Sequence, residues 1–309
     1  MDAATPYLPA VPEPAMTEAA AIARKLPWND RAGRFAPLKA AVLVLVALPA
    51  LHLLYRTVAG TLGPRPLTEA THVLGDWTIY LLLVTLAVTP ARRLLDWPKL
   101  IQVRRILGLS ALFYILAHFA LYVVDSRLDL VFVATEIVKR VYLLVGFVAL
   151  LGLVALGLTS TDGMIRRLGA IRWNRLHRLI YVITALGILH YYMQSKVDVS
   201  QPVLMTGLFV WLMGYRLMAS RGIKEGFVPL VLLSVAAALL TAGAEAAWYG
   251  LATGVGAWRP LMANLDFSFS IRPAWWVLAA GLAVAIVAEI RRRMRAAPAP
   301  RGRAAAGRA

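Results

Sequence analysis

Apolar residues along this chain gather in eight long runs, at about 37–57, 74–95, 106–124, 141–160, 174–193, 202–219, 227–249 and 273–290. Each is close to the roughly 20 residues that an α-helix needs to cross a bilayer core of about 30 Å. Short polar loops separate them. The pattern predicts an all-α polytopic membrane protein with eight spans. Residues 1–36 differ: five prolines, mixed charge and no periodicity. They read as a disordered cytoplasmic tail with little to bury. The first apolar run begins only near Pro37, behind that tail, so it is expected to be a retained span and not a cleaved signal.

Composition agrees, with 60% hydrophobic and 16% charged residues against about half and a quarter for soluble domains. The formal charge of +17 is located in the loops and tails. Of the 33 lysines and arginines, 25 fall in alternate connections, and the other connections hold 8. That bias places both termini in the cytoplasm and explains the charge without nucleic acid. The absence of cysteine excludes disulfides, iron–sulfur clusters, thiolate chemistry and covalent haem attachment. All five histidines lie in the first six spans. Residues 37–219 therefore read as a six-helix core, and 220–309 as an added two-span hairpin with a basic cytoplasmic tail.

The candidate chemistry lies between Arg104 and Met193, where His118, His177 and His190 occur. A histidine inside a span is costly and usually functional. Neutral imidazole is a common axial ligand of haem iron, and two suit electron transfer. His118 lies 13 residues beyond Arg105, and His190 lies 13 beyond His177; each step is about 20 Å of helix. His118 and His190 are thus expected at one depth in the outer half, on helices running the same way. His177 is expected near the cytoplasmic end among Arg172, Arg175 and Arg178. Its counterpart on the third span is Arg104 or Arg105, and guanidinium does not ligate iron. A second haem with another partner, a quinone or flavin contact, or a haem propionate remain open for it. His72 begins the second span at the outer side and is a weaker candidate. His52 reads as structural and Glu245 as interfacial. The competing role for any of these histidines is a hydrogen bond between helices. Gly146, Gly152 and Gly157 read as helix-packing positions.

RRILGLSALFYILAH at 104–118, VTPARR at 88–93, LTS at 158–160, RRLGAIRWNRLHRLIY at 166–181 and LHYYM at 189–193 occur in order. Over about 37–219 the chain resembles the haem-binding membrane subunit of the periplasmic methionine-sulfoxide reductase system (the MsrQ or YedZ type), in the ferric-reductase-like transmembrane superfamily. The resemblance implies b-type haem and FMN. It also implies electrons from the quinone pool or a cytosolic flavin reductase, passed across the bacterial inner membrane. Their acceptor would be a periplasmic molybdopterin subunit that reduces methionine sulfoxide in oxidised envelope proteins. His118, His177 and His190 fall on the family's histidine positions, as iron-ligand candidates, and His72 in THVLGD is similar to a further one. Val141 and Leu144 depart from the family's proline and threonine at the outer start of the fourth span.

No hydrolytic or group-transfer constellation is present, and no Gly-rich dinucleotide motif follows a strand. The chain reads as an electron-transfer subunit whose substrate chemistry belongs to a partner. A transmembrane ferric or other metal reductase is the alternative within redox chemistry. A transporter or scaffold is the alternative outside it, without the internal repeat that transporters often show.

Overall fold

The computed structural model describes residues 26–30, 32–195, 198–268 and 270–296. Most of the predicted tail, with Arg24, Lys25 and Arg31, lies outside the described residues, as do Lys196 and the basic end with Arg301, Arg303 and Arg308. Among the described residues the regular elements are helical, apart from one isolated bridge between Asn29 and Phe35.

Proline opens the first two helices at positions where no intrahelical donor is lost. These are α1 (Pro37–Val58) and α2 (Pro66–Leu94). A 3-10 turn at Pro98–Val103 leads into α3 (Arg104–Asp125). Asp129 then caps α4 (Leu130–Lys139), its carboxylate accepting from the Phe132 N–H at 2.9 Å. The chain continues as α5 (Val141–Leu158), α6 (Asp162–His177), α7 (Ile180–Gln194) and α8 (Ser200–Ser220). The last part holds α9 (Phe227–Trp248), the short α10 (Trp258–Ala263) and α11 (Pro273–Ala296).

Among the described residues seven helices are long and apolar enough to cross a membrane: α1, α2, α3, α5, α8, α9 and α11. The remaining predicted span, 174–193, is divided. Its first residues belong to α6, and the chain turns at Arg178 and Leu179 through short i→i−3 bonds to Arg175 and Leu176. The α7 that follows has 15 residues, about 22 Å, shorter than the other spans, yet it leads away from the end with the Arg105–Asp162 pair and α8 returns to that end at the Arg93–Glu225 pair. The cause of the division is the charge pattern. Arg166, Arg167, Arg172, Arg175 and Arg178 recur too closely to leave an apolar stripe, so α6 stays with the polar surface. Gly169, at φ 74°, kinks it further.

α2 is the central helix. Leu74, Ile79, Leu82 and Leu86 are buried along it, and it packs against α3, α7 and α8. Three contacts tie connections together at one end: Arg93 to Glu225 (3.9 Å), Arg105 to Asp162 (2.6 Å) and Arg295 to Asp96. Arg56 and Glu69 pair at the other end (3.7 Å). Connections that share positive charge in the sequence thus share a face of the molecule.

α1 is mostly exposed, as a lipid-facing helix can be. Pro49 interrupts its bonding ladder. There the Tyr114 hydroxyl inserts, donating to the Val46 carbonyl (2.7 Å) and accepting from the Ala50 N–H (3.1 Å). A side chain entering the i→i−4 ladder is a recognised cause of a helix bend. α9 and α11 form a hairpin against α8. Its Glu245 is fully buried and paired with Arg272.

α4 is not expected from the run lengths, since ten residues cannot span. It is strongly amphipathic. Val133 and Ile137 are buried against the protein, and Leu130, Val131 and Val138 are exposed. That division suits a helix lying along the membrane surface.

Candidate functional site

Four helices, α2, α3, α5 and α7, enclose a cavity of about 460 Å³. Its inner walls are apolar, with Leu82, Ile115, Leu150, Leu153 and Ile183. Thr68, His72, Asp76, Asp125, Tyr191 and Gln194 form a polar edge, and Ile137 of the surface helix α4 also faces in. His118 and His190 enter from α3 and α7.

The expectation of a level pair can be compared directly with the geometry. The two imidazole centres are 6.4 Å apart and their planes cross at 86°. Two imidazoles sharing one metal ion, each nitrogen about 2 Å from it and each ring centre roughly 1 Å further back, have centres about 6 Å apart. The separation therefore fits one iron between them.

The second nitrogen of each ring is also accounted for. His118 Nδ1 lies 2.7 Å from the Thr71 carbonyl oxygen, and His190 Nδ1 lies 2.7 Å from the Tyr142 carbonyl oxygen. A carbonyl only accepts, so Nδ1 carries the proton in both rings. Nε2 is left with its lone pair, which is the form a metal needs. An imidazole ligand held through its other N–H by a backbone carbonyl is a common arrangement around bound metals.

The glycine opposite each ring was not among the residues singled out for chemistry. A Cβ on Gly75 would sit 3.1 Å from His118 Nδ1, and one on Gly146 would sit 2.7 Å from His190 Nδ1. Gly152 and Gly157 meet Ile183 and Leu112, so they are packing positions as expected. Gly146 instead faces an imidazole. The available signal was spacing: Thr71 to Gly75 and Tyr142 to Gly146 are both one helical turn, in THVLGD and YLLVG.

The other histidines are placed differently. His72 lines the same cavity at its polar edge, four residues before Asp76. His52 is exposed on α1. His177 ends α6 and does not line the cavity. Its ring stacks on Trp173 with centres 3.8 Å apart, and its Nε2 lies 3.3 Å from the Thr159 hydroxyl. Trp173 is fixed in turn by donating to the Thr159 carbonyl (2.8 Å). Burial, reinforced by the Arg104 guanidinium, holds His177 below the usual imidazole pKa. Arg216 lies on the same polar end of the bundle. It donates to the Leu86 carbonyl (2.6 Å) and sits over the Tyr181 ring at 5.3 Å. No group of three or more histidines or carboxylates suited to a bare metal ion occurs among the described residues.

Glu245, expected at the interface, is buried with Arg272, and Asn264 lies 3.5 Å away. This cluster belongs to the hairpin and not to the cavity.

The model of the ferric reductase like transmembrane component matches residues 74–188, which include His118 and His177 and end two residues before His190. The chain is 43% identical over 203 residues to a protein-methionine-sulfoxide reductase heme-binding subunit MsrQ of Rhodospirillum rubrum, covering 65% of this chain and 95% of that protein. Subunits with the same name are similar in Caulobacter vibrioides (40% over 174 residues, 56% of this chain and 83% of that one) and in Xanthomonas campestris pv. campestris (46% over 156 residues, 50% and 71%). No solved structure matches.

Proposed function

The chain belongs to the family of heme-binding subunits of protein-methionine-sulfoxide reductase, and from that premise we propose that it carries electrons across a bacterial inner membrane to a methionine-sulfoxide reductase partner. The observation that carries this reading is the pair of facing imidazoles of His118 and His190, 6.4 Å apart in a largely apolar cavity. They are the residues that would hold a haem iron, each through Nε2. Haem b, when bound, supplies a one-electron ferric/ferrous couple.

The protein's own contribution is orientation and exclusion. Both rings present Nε2 because their Nδ1–H groups are held by carbonyls. The apolar walls keep water from the imidazole pair, and an iron held by two imidazoles would suit electron transfer. The polar edge at His72 and Asp76 lies toward the face carrying the Arg56–Glu69 pair. We assign that face to the periplasm, on the bias of 25 basic residues toward the other side. The acceptor there is the periplasmic molybdopterin subunit. The six helices that surround and support the cavity, with α7 completing the ring, are its core, and α9 and α11 are added to it.

The opposite end is the donor side. His177, Trp173, Arg104, Tyr181 and Arg216 gather there. Cationic and aromatic groups in one place suit a quinol or an anionic flavin such as FMN. A reduced-minus-oxidised spectrum of the purified protein, with haem counted per chain, tests the reading. The expected result is a low-spin b-type spectrum, lost in His118→Ala and in His190→Ala. Full haem retention in both variants rejects it.

A further inference from the structure

Two features of the cavity repeat on opposite walls. In α2 the carbonyl of Thr71 meets His118, and the residue one turn later is Gly75. In α5 the carbonyl of Tyr142 meets His190, and the residue one turn later is Gly146. A side chain at i+4 on a helix stands beside the carbonyl of residue i. Any Cβ there would occupy the space that the imidazole uses. At Gly146 the clash is severe, with the added carbon 2.7, 2.9 and 3.1 Å from three ring atoms of His190. At Gly75 it is milder, at 3.1 and 3.2 Å from His118.

We propose that Gly75 and Gly146 are positioning residues that admit the two imidazoles to backbone carbonyls and thereby fix their planes in the crossed orientation. This rests on the reading of His118 and His190 as haem ligands. Neither glycine touches iron in this account; each acts through the ring opposite. The angle of 86° has an electronic consequence. Each axial imidazole interacts through π orbitals with one of two iron d orbitals. Parallel rings act on the same orbital and split the pair. Crossed rings act on both alike and leave them close in energy. The oxidised protein should therefore give a single, strongly anisotropic low-field electron paramagnetic resonance signal and not a three-line rhombic spectrum.

The experiment is that spectrum, recorded on purified holoprotein with haem content and thermal unfolding, for the wild type, Gly146→Ala, Gly75→Ala and Gly157→Ala. The last is the control on the same helix as Gly146, since its added methyl would meet the end of the Leu112 side chain, which is not part of the cavity wall, and not a histidine. Gly146→Ala should lower haem affinity by roughly tenfold or more, as loss of an outer contact to a metal ligand does. Haem that remains should move toward a rhombic spectrum. Gly75→Ala needs a ring shift of only a few tenths of an ångström, so it should fold and show a smaller change in the same direction. It carries the test should Gly146→Ala not fold. Gly157→Ala should keep the wild-type spectrum. The proposal is overturned by a rhombic wild-type spectrum, by unchanged spectra and haem content in the Gly146 and Gly75 variants, or by an equal change in Gly157→Ala. Retention of the low-spin signal in His118→Ala and His190→Ala would overturn the ligand assignment itself. Its loss there, with unaltered glycine variants, would overturn the positioning role alone.

Discussion

His190 and His177 are 13 residues apart in an apparently continuous segment, yet their surroundings differ in kind. His190 faces another imidazole across a cavity, with Nδ1 bonded to the Tyr142 carbonyl. His177 lies flat on Trp173, and its Nε2 meets the Thr159 hydroxyl. One ring is held by its edge and the other by its face. The difference shows that depth in the bilayer is insufficient to define a ligand. What matters is which nitrogen the neighbouring backbone leaves available.

The strongest way to break the comparison is to delete the rings one at a time. His118→Ala or His190→Ala should abolish the low-spin spectrum, a loss exceeding the roughly 10–100-fold in affinity that outer contacts to a ligand carry. His177→Ala should retain most of the haem at the His118–His190 site. Equal loss in all three variants would make the two environments functionally alike. A large stability effect with no spectral counterpart is expected from the hairpin. Arg272→Met leaves the fully buried Glu245 without its cation, at a cost of about 3–5 kcal/mol. Thermal unfolding in detergent should shift down while the haem spectrum stays unchanged. A spectral change would show that the hairpin is coupled to the cavity.

Trp173→Ala sharpens the side of His177. Loss of the stacked face should cost about 0.5–1.5 kcal/mol beyond the burial of the ring, read by thermal unfolding, and leave the His118–His190 spectrum untouched. The smallest effect concerns pH. His177 has a lowered pKa because burial, then Arg104, disfavours its cation. Its contribution to stability is therefore complete above the ordinary imidazole value of about 6.5 and is lost as pH falls toward the lower folded value. The unfolding midpoint should drop between pH 7 and 5, and His177→Gln should reduce that slope. An identical slope in the variant would assign the titration elsewhere.

Much of the cavity was legible because membrane helices convert sequence distance into depth. Counting 13 residues from Arg105 places His118 correctly relative to His190 only because α3 and α7 run in the same direction. The same counting failed to foresee the turn at Arg178–Leu179, since it assumed an unbroken helix over 174–193. The arginines preceding the turn were the physical signal, through their cost in lipid. α4 escaped notice because hydropathy over 20 residues averages a ten-residue surface helix into its loop. Gly146 was legible as a place of close approach, but its neighbour was not: a glycine records that something is near and says nothing of what. The Glu245–Arg272 pair spans 27 positions across a long connection, a distance that no local pattern reports.

The Tyr114 hydroxyl in the broken ladder of α1 has a consequence in time. The contact joins residues 64 positions apart, and α1 leaves the ribosome before α3. At roughly 5–20 residues per second, about 3–13 s pass before Tyr114 has been made. During that interval the first helix has neither its own complete ladder at Pro49 nor the hydroxyl that replaces it. α1 is fastened only when the helix bearing His118 arrives, so its anchoring coincides with the placing of the first of the two imidazoles, and His190 on α7 joins later.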